Sequence, residues 1–293
     1  MMSGFMAQGR APVYCRPQLN RLGESSGRIF GGMEQQAFAD RVPTAGRLRA
    51  GAAAGIRALV DLVLPPQCLA CTRPVGVEGG LCPSCWSRLR MIERPFCARL
   101  GTPFAYDLGE GALSAEAIAD PPPFERCRAV AVFDDVARNL VHGLKYRDRL
   151  DLAAWMAGWM ARAGRDLLED ADVIVPVPLH PRRLWRRRFN QSASLARAVA
   201  DKAGKPLVTT ALCRIRPTPQ QVGLSAAERD RNVRGAFKVT EDQRVTVVGR
   251  RVLVVDDVYT TGATVKAATR ALARAGAAAV DVLVFARVVR GAG

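Results

Sequence analysis

Apolar residues fall along this chain in two alternating rhythms from residue 126 onward. Short runs rich in Val, Leu and Ile at 129–133, within 172–180, at 252–255 and at 280–285 read as buried strands. Between them, apolar positions recur at helical spacing. One such segment starts near Val136 and carries Leu140, Val141 and Leu144. A second, at 150–163, carries Leu152, Trp155, Met156, Trp159 and Met160 as a core-facing stripe. A third begins at 189–192 and runs to about Lys202, and a fourth spans 265–275 and stops at Gly276. Strand and helix in alternation predict an α/β domain with a parallel sheet.

Before residue 126 the pattern breaks into pieces. Residues 1–46 show no sustained apolar period and read as a disordered extension, with Met33 as an alternative start. They lack the charged start, apolar stretch and cleavage site of a secretory signal, so a cytoplasmic location is expected. At 47–64, Leu48, Ala52, Ile56, Leu59, Leu62 and Val63 fall on one helical face, which Pro65-Pro66 ends. That face suits packing on a neighbouring domain. No apolar run reaches the length of a membrane span. Residues 65–108 form a cysteine-bearing module. Residues 109–125 are small, acidic and proline-rich, and read as a linker. The α/β domain then occupies 126–293.

Its central stretch is Arg251-Val-Leu-Val-Val-Asp-Asp-Val-Tyr-Thr-Thr-Gly-Ala-Thr264. An apolar run ends in two acids, a hydroxyl- and glycine-bearing turn follows, and a helix begins. A loop feeding a helix N-terminus offers free N–H groups and the positive end of the helix to an anion. Gly262 permits close approach of the backbone, and Thr260, Thr261 and Thr264 can donate hydroxyls. Asp256 and Asp257 suit sugar hydroxyls or a water on Mg²⁺. A ligand carrying both a phosphate and a ribose would use the whole loop. A strand-end acid that merely caps the helix is the plainer alternative.

Charge sharpens the ligand class. Lys and Arg number 43 against 27 Asp and Glu, for a formal net charge of +16, which favours phosphate-rich or nucleic-acid partners. Arg182, Arg183, Arg186, Arg187 and Arg188 crowd seven positions, next to Trp185 and Phe189, after the strand within 172–180. That mixture can bind phosphates and stack on bases, or serve only as a solvated charge run. Lys145, at a helix end, is either a partner of the helix dipole or a pyrophosphate contact. Ser225 to Glu228 fits a capping box that opens a short polar helix, a candidate lid.

Cysteine spacing adds a metal. Cys68-x-x-Cys71 and Cys82-x-x-Cys85, ten residues apart, can supply four thiolates to a tetrahedral Zn²⁺. Four thiolates leave no open position, so the metal is structural. Disulfides are the rival reading, without a secretion signal to support them. Cys97 is unpaired, since Leu100 stands where its partner thiolate would fall.

The run Val252 to Thr264 resembles the ribose-phosphate signature of type I phosphoribosyltransferases. In that family the two acids hold the ribose of phosphoribosyl pyrophosphate (PRPP), and the loop wraps its 5′-phosphate. The resemblance gives those roles to Asp256 and Asp257, and to Tyr259, Thr260, Thr261, Gly262, Ala263 and Thr264. It implies PRPP bound with Mg²⁺, and Lys145, Arg182, Arg186, Arg187 and Arg188 as pyrophosphate or anion contacts. The ordered set is similar to one branch, the ComF-type competence proteins. It comprises Leu-Pro-Pro-x-Cys-x-x-Cys at 64–71, Leu-Cys-x-x-Cys-Trp at 81–86, Leu-Lys-Tyr at 144–146, Val-Pro-Val-Pro-Leu-His at 175–180, Arg-Phe-Asn-Gln at 188–191 and Arg-x-x-Asn-Val-Arg-Gly-Ala-Phe at 229–237. Two departures stand out. The third cysteine pair common in the family is missing, and Arg188 stands where the family's common Arg-Gly-Phe-Asn-Gln form has glycine, so the run reads Arg187-Arg188-Phe189-Asn190-Gln191. The resemblance implies a type I phosphoribosyltransferase fold with a small N-terminal zinc module. It implies a role in DNA uptake with single-stranded DNA and other uptake proteins as partners. Phosphoribosyl transfer is the enzymatic expectation, and a nucleobase-salvage or amidophosphoribosyltransferase-like enzyme is the alternative.

Overall fold

The computed structural model describes residues 65–146, 150–181, 184–185, 189–217 and 225–289. The extension at 1–46 and the helix expected at 47–64 lie outside them. In chain order the elements are α1 (Pro83–Arg88), α2 (Ala115–Ala119), β1 (Cys127–Val132), α3 (Asp135–Tyr146), α4 (Leu150–Ala163), α5 (Arg165–Asp170) and β2 (Val173–Pro176). They continue with α6 (Gln191–Ala203), β3 (Cys213–Arg214), α7 (Ala226–Val233), β4 (Phe237–Lys238), α8 (Glu241–Arg244), β5 (Arg251–Tyr259), α9 (Ala263–Arg274) and β6 (Ala279–Arg287).

Four strands form a parallel sheet in the order β1-β6-β5-β2. Every residue of β1 and β2 is buried, and apart from Arg128 these strands read as apolar runs. Side chains of the central strands still alternate between two cores. Leu253, Val255, Leu283 and Phe285 pack with Leu140, Leu144, Met156, Met160 and Leu195 of α3, α4 and α6. Val252, Val254, Val282 and Val284 pack on the other side with Ala268 and Leu272 of α9 and with Phe237 of the antiparallel β3–β4 pair. Burying one such side chain contributes about 2 kcal/mol, so the two cores fix the register firmly.

Two segments differ from their sequence reading. β5 does not stop at the acids. Asp256 lies opposite Val284 and Tyr259 opposite Arg287, so the strand carries both carboxylates within its ladder. Aspartate disfavours strands, but pairing with β6 overrides that preference. The span read as a linker contains α2, whose Ser114 side chain caps Ala117 N–H. Just beyond it, Phe124 is buried edge-on to Tyr259 at 6.2 Å between ring centres. Asp120 also pairs with Lys266 of α9 at 2.8 Å.

The cysteine module docks through the aromatic stripe of α4. Trp86 of α1 lies 5.4 Å from Trp159, and Trp155 lies 6.3 Å from Phe285 of β6. Leu69, Cys85 and Leu89 join the same core as α3 and α4. The chain leaving the module then runs along the free edge of β1, with Ile92 N–H donating to the Val130 carbonyl at 2.8 Å and Val132 N–H to that of Arg90 at 2.9 Å. Among the described residues, no helix is long and apolar enough to cross a membrane.

Candidate functional site

The carboxyl ends of β5 and β2 open into a cavity of about 200 Å³. Asp256, Asp257, Tyr259, Thr260, Gly262, Ala263 and Thr264 all line it. One loop of the sheet thus gathers the acids, the turn and the start of α9. Asp256 is nearly buried, and its Oδ1 accepts the Ser192 hydroxyl at 2.8 Å and the Asp257 N–H at 2.9 Å. Two fixed donors on one oxygen orient the carboxylate. Asp257 is also buried and lines the cavity.

The turn is short because β5 runs on to Tyr259. Gly262 has φ 76°, and a Cβ there would fall 2.3 Å from the Tyr259 hydroxyl. Only glycine fits, on both conformational and steric grounds. Gly262 is the N-cap of α9 and has no side chain to cap that end, and no acid stands in its first turn. The positive helix end is therefore left for something outside the helix. Thr261 points elsewhere, its hydroxyl accepting Ala263 N–H at 3.5 Å. The Tyr259 ring is turned inward, against Phe124 and under the Arg287 guanidinium at 4.9 Å. Burial raises its phenol above the ordinary range, so it stays neutral. Tyr259 thus props the turn from below.

Other sequence-based candidates fall differently. Lys145 lies in the last turn of α3, with its side chain outside the described residues, as are Arg182, Arg186, Arg187 and Arg188. Three cavity residues were not named as site residues from the sequence: Ser192, Arg214 and Gln191, the last noted only within Arg-Phe-Asn-Gln. Asn190 caps α6 by accepting Ser192 N–H, and donates to the Val177 carbonyl, both at 3.1 Å. This cap turns the first residues of α6 toward Asp256. Gln191 follows with its amide oxygen buried at the cavity and, among the described residues, without a protein partner. Arg214 reaches in from β3, buried and stacked on Phe237 at 5.2 Å. Ser192 lies just beyond the motif that ends at Gln191, and Arg214 is one cation among many in the sequence.

The four cysteines converge. The sulfurs of Cys68, Cys71, Cys82 and Cys85 lie within 4.8 Å of one another. The Cys71–Cys82 separation is 3.7 Å. A tetrahedron with Zn–S bonds of about 2.3 Å has edges of about 3.8 Å, so the donors fit that metal. Cys82 N–H donates to the Cys68 sulfur at 3.2 Å. Burial raises the Cys68 thiol, but N–H donors at Cys82, Cys71 and Ala70, with the Cys71 side chain, bring it down to about 6. Burial and the neighbouring sulfurs push Cys85 up to about 12. A bound dication would hold the coordinating sulfurs as thiolates.

Cys97 stands apart from this cluster. Its sulfur accepts N–H groups of Leu100 at 3.4 Å and Ser114 at 3.2 Å. Burial opposes its ionisation, but these donors lower the thiol overall. The place of a second thiolate is taken by Leu100, which is fully buried.

A parallel sheet with paired carboxylates and an uncapped helix at its carboxyl edge, joined to a four-cysteine knuckle, defines a phosphoribosyltransferase-fold protein with a zinc ribbon. Two family descriptions match in those places, the double zinc ribbon domain over residues 59–129 and the phosphoribosyl transferase domain over 190–292. The chain is 34% identical to DNA utilization protein YhgH of Salmonella typhimurium over 235 residues, 78% of this chain and 100% of that protein. It is 26% identical to competence protein F of Haemophilus influenzae, over 75% of this chain and 96% of that one. It is 25% identical to competence protein ComFC of Bacillus subtilis, over 68% and 80% respectively. The chain belongs to this ComF-type, phosphoribosyltransferase-like family.

Proposed function

We propose that the 200 Å³ cavity binds PRPP with Mg²⁺, and that the protein serves the handling of incoming DNA. The observation that carries the first half is the pairing of two buried carboxylates with an acid-free helix N-terminus across a single short turn. Asp256 and Asp257 accept the ribose hydroxyls, and the N–H groups of residues 260–264 with the hydroxyls of Thr260 and Thr264 hold the 5′-phosphate. Carboxylate and hydroxyl oxygens suit a hard cation such as Mg²⁺, which offsets the charge of the pyrophosphate. Arg214 lines the cavity, and the family resemblance adds Lys145, Arg182, Arg186, Arg187 and Arg188 as candidate contacts for that group. In phosphoribosyl transfer the bond from the sugar C1 to pyrophosphate breaks, and a nitrogen nucleophile takes its place. The chain's part is to orient the ribose and stabilise the departing charge.

The second half rests on the relatives, which are named for DNA utilization and for competence. Single-stranded DNA is the partner that the net charge of +16 suits. Calorimetric titration with PRPP and Mg²⁺, with and without a single-stranded oligonucleotide, tests both. Saturable heat from the wild type is expected, with at least a tenfold loss of affinity in Asp256→Asn/Asp257→Asn. Absence of binding, or equal binding by the double variant, would sink the PRPP reading.

A further inference from the structure

We propose that a second cavity, of about 340 Å³ at the β1 edge of the sheet, binds a nucleotide unit, with the base on its apolar floor and the phosphate on an arginine rim. It shares no lining residue with the cavity at Asp256. Its floor is Met91, Ile92 and Val130, where the chain leaving the zinc module runs beside β1. Phe96 and Trp159 form its aromatic walls. The volume falls in the range of small-molecule sites, and an apolar floor with a few polar groups is their usual lining.

Rings rather than acids hold two of the rim cations. The Arg94 guanidinium lies 5.2 Å from the centre of Phe96, and that of Arg162 lies 5.7 Å from the centre of Trp159. A guanidinium over an aromatic ring spends no N–H donor on an acid and can still donate to an anion. Arg165 completes the rim, and among the described residues none of the three is in an ion pair. Asp166 is already engaged by Arg128 at 2.8 Å. Glu93 and Glu169 stand on the rim as well. They weaken the site for a bare anion such as inorganic phosphate, and can accept from the amino group of a base. Apolar floor, aromatic walls, guanidinium donors and a few acceptors together match a nucleotide better than a simple anion. The unit can come from a free mononucleotide or from one residue of a single strand.

The inference stands independently of PRPP binding and is tested beside it. Arg162 and Arg165 are exposed, so Arg162→Ala/Arg165→Ala leaves the fold intact. Fluorescence anisotropy with a labelled oligodeoxycytidine, and calorimetry with dCMP and with inorganic phosphate, are compared between this variant and the wild type. The expected result is at least a tenfold loss of oligonucleotide affinity, with the slope of log affinity against log salt reduced by about 0.7 for the one phosphate released on a single strand. PRPP binding and melting temperature should not change. If dCMP also binds the wild type and is lost in the variant, one nucleotide fills the site. If only the strand responds, the strand is the source. A parallel variant of Arg186, Arg187 and Arg188 separates this cavity from that segment. Oligonucleotide and dCMP binding that match the wild type in Arg162→Ala/Arg165→Ala, with an unchanged salt slope, would overturn the proposal, as would inorganic phosphate binding as tightly as dCMP.

Discussion

Cys127 opens β1 with no exposed surface, and burial pushes its thiol up to about 11, against an ordinary value of 9.0. In the unfolded chain the thiol ionises first. Its contribution to stability is therefore fully present below pH 9 and is lost as the pH rises toward 11, by on the order of 2 kcal/mol. Urea unfolding of the wild type and of Cys127→Ala at pH 8 and pH 10.5 should show a smaller loss in the variant. Equal losses in the two proteins would remove this thiol from the account. Tyr259 carries a different lesson at the same scale. Its place next to the threonines suggested a ligand contact, yet its ring lies under Arg287 and leaves no room for a Cβ on Gly262. Which way a side chain faces at the end of a strand depends on the partner strand and on Phe124, more than a hundred residues away in sequence.

Among the elements, α6 ties the site together. Its N-cap Asn190 holds both Ser192 N–H and the Val177 carbonyl, so the helix start, the end of β2 and the acids of β5 form one unit. Asn190→Ala removes the cap and leaves a buried carbonyl short of a donor, at a cost of about 2 kcal/mol. Chemical unfolding should show this as a lower midpoint with an unchanged slope. PRPP affinity should fall with it, because Ser192 then positions Asp256 less well. An unaltered midpoint would mean that water replaces the amide without loss. Helices with strong local signals were legible. α4 spans the residues its stripe indicated, and Ser225 and Glu228 form the expected capping box. α2 was not legible, because five residues of low complexity become helical only with Ala117 and Phe124 buried beside them.

For the molecule as a whole, the zinc module is part of the main core rather than an appendage. Metal analysis should return one zinc per chain, since Leu100 occupies the second thiolate position beside Cys97. Cys82→Ser should lose the metal. Chelation should lower the melting temperature of the entire protein and change tryptophan emission through the Trp86–Trp159 contact, 5.4 Å between ring centres. Two zinc ions per chain, or a chelated protein with the same melting curve and spectrum, would contradict that arrangement.

Local rules were enough to specify the alternation of strand and helix, the two cysteine pairs and the acid-turn-helix loop. Each of these depends on residues within a few positions of one another, where period, spacing and turn chemistry act directly. Tertiary packing alone decided that β5 carries its acids inside the ladder, that Ser192, Gln191 and Arg214 join them, and that the aromatic stripe of α4 receives the zinc module. Those outcomes depend on contacts between segments far apart in the chain. There, the free energy of burying apolar surface and pairing strands exceeds any preference a short stretch expresses by itself.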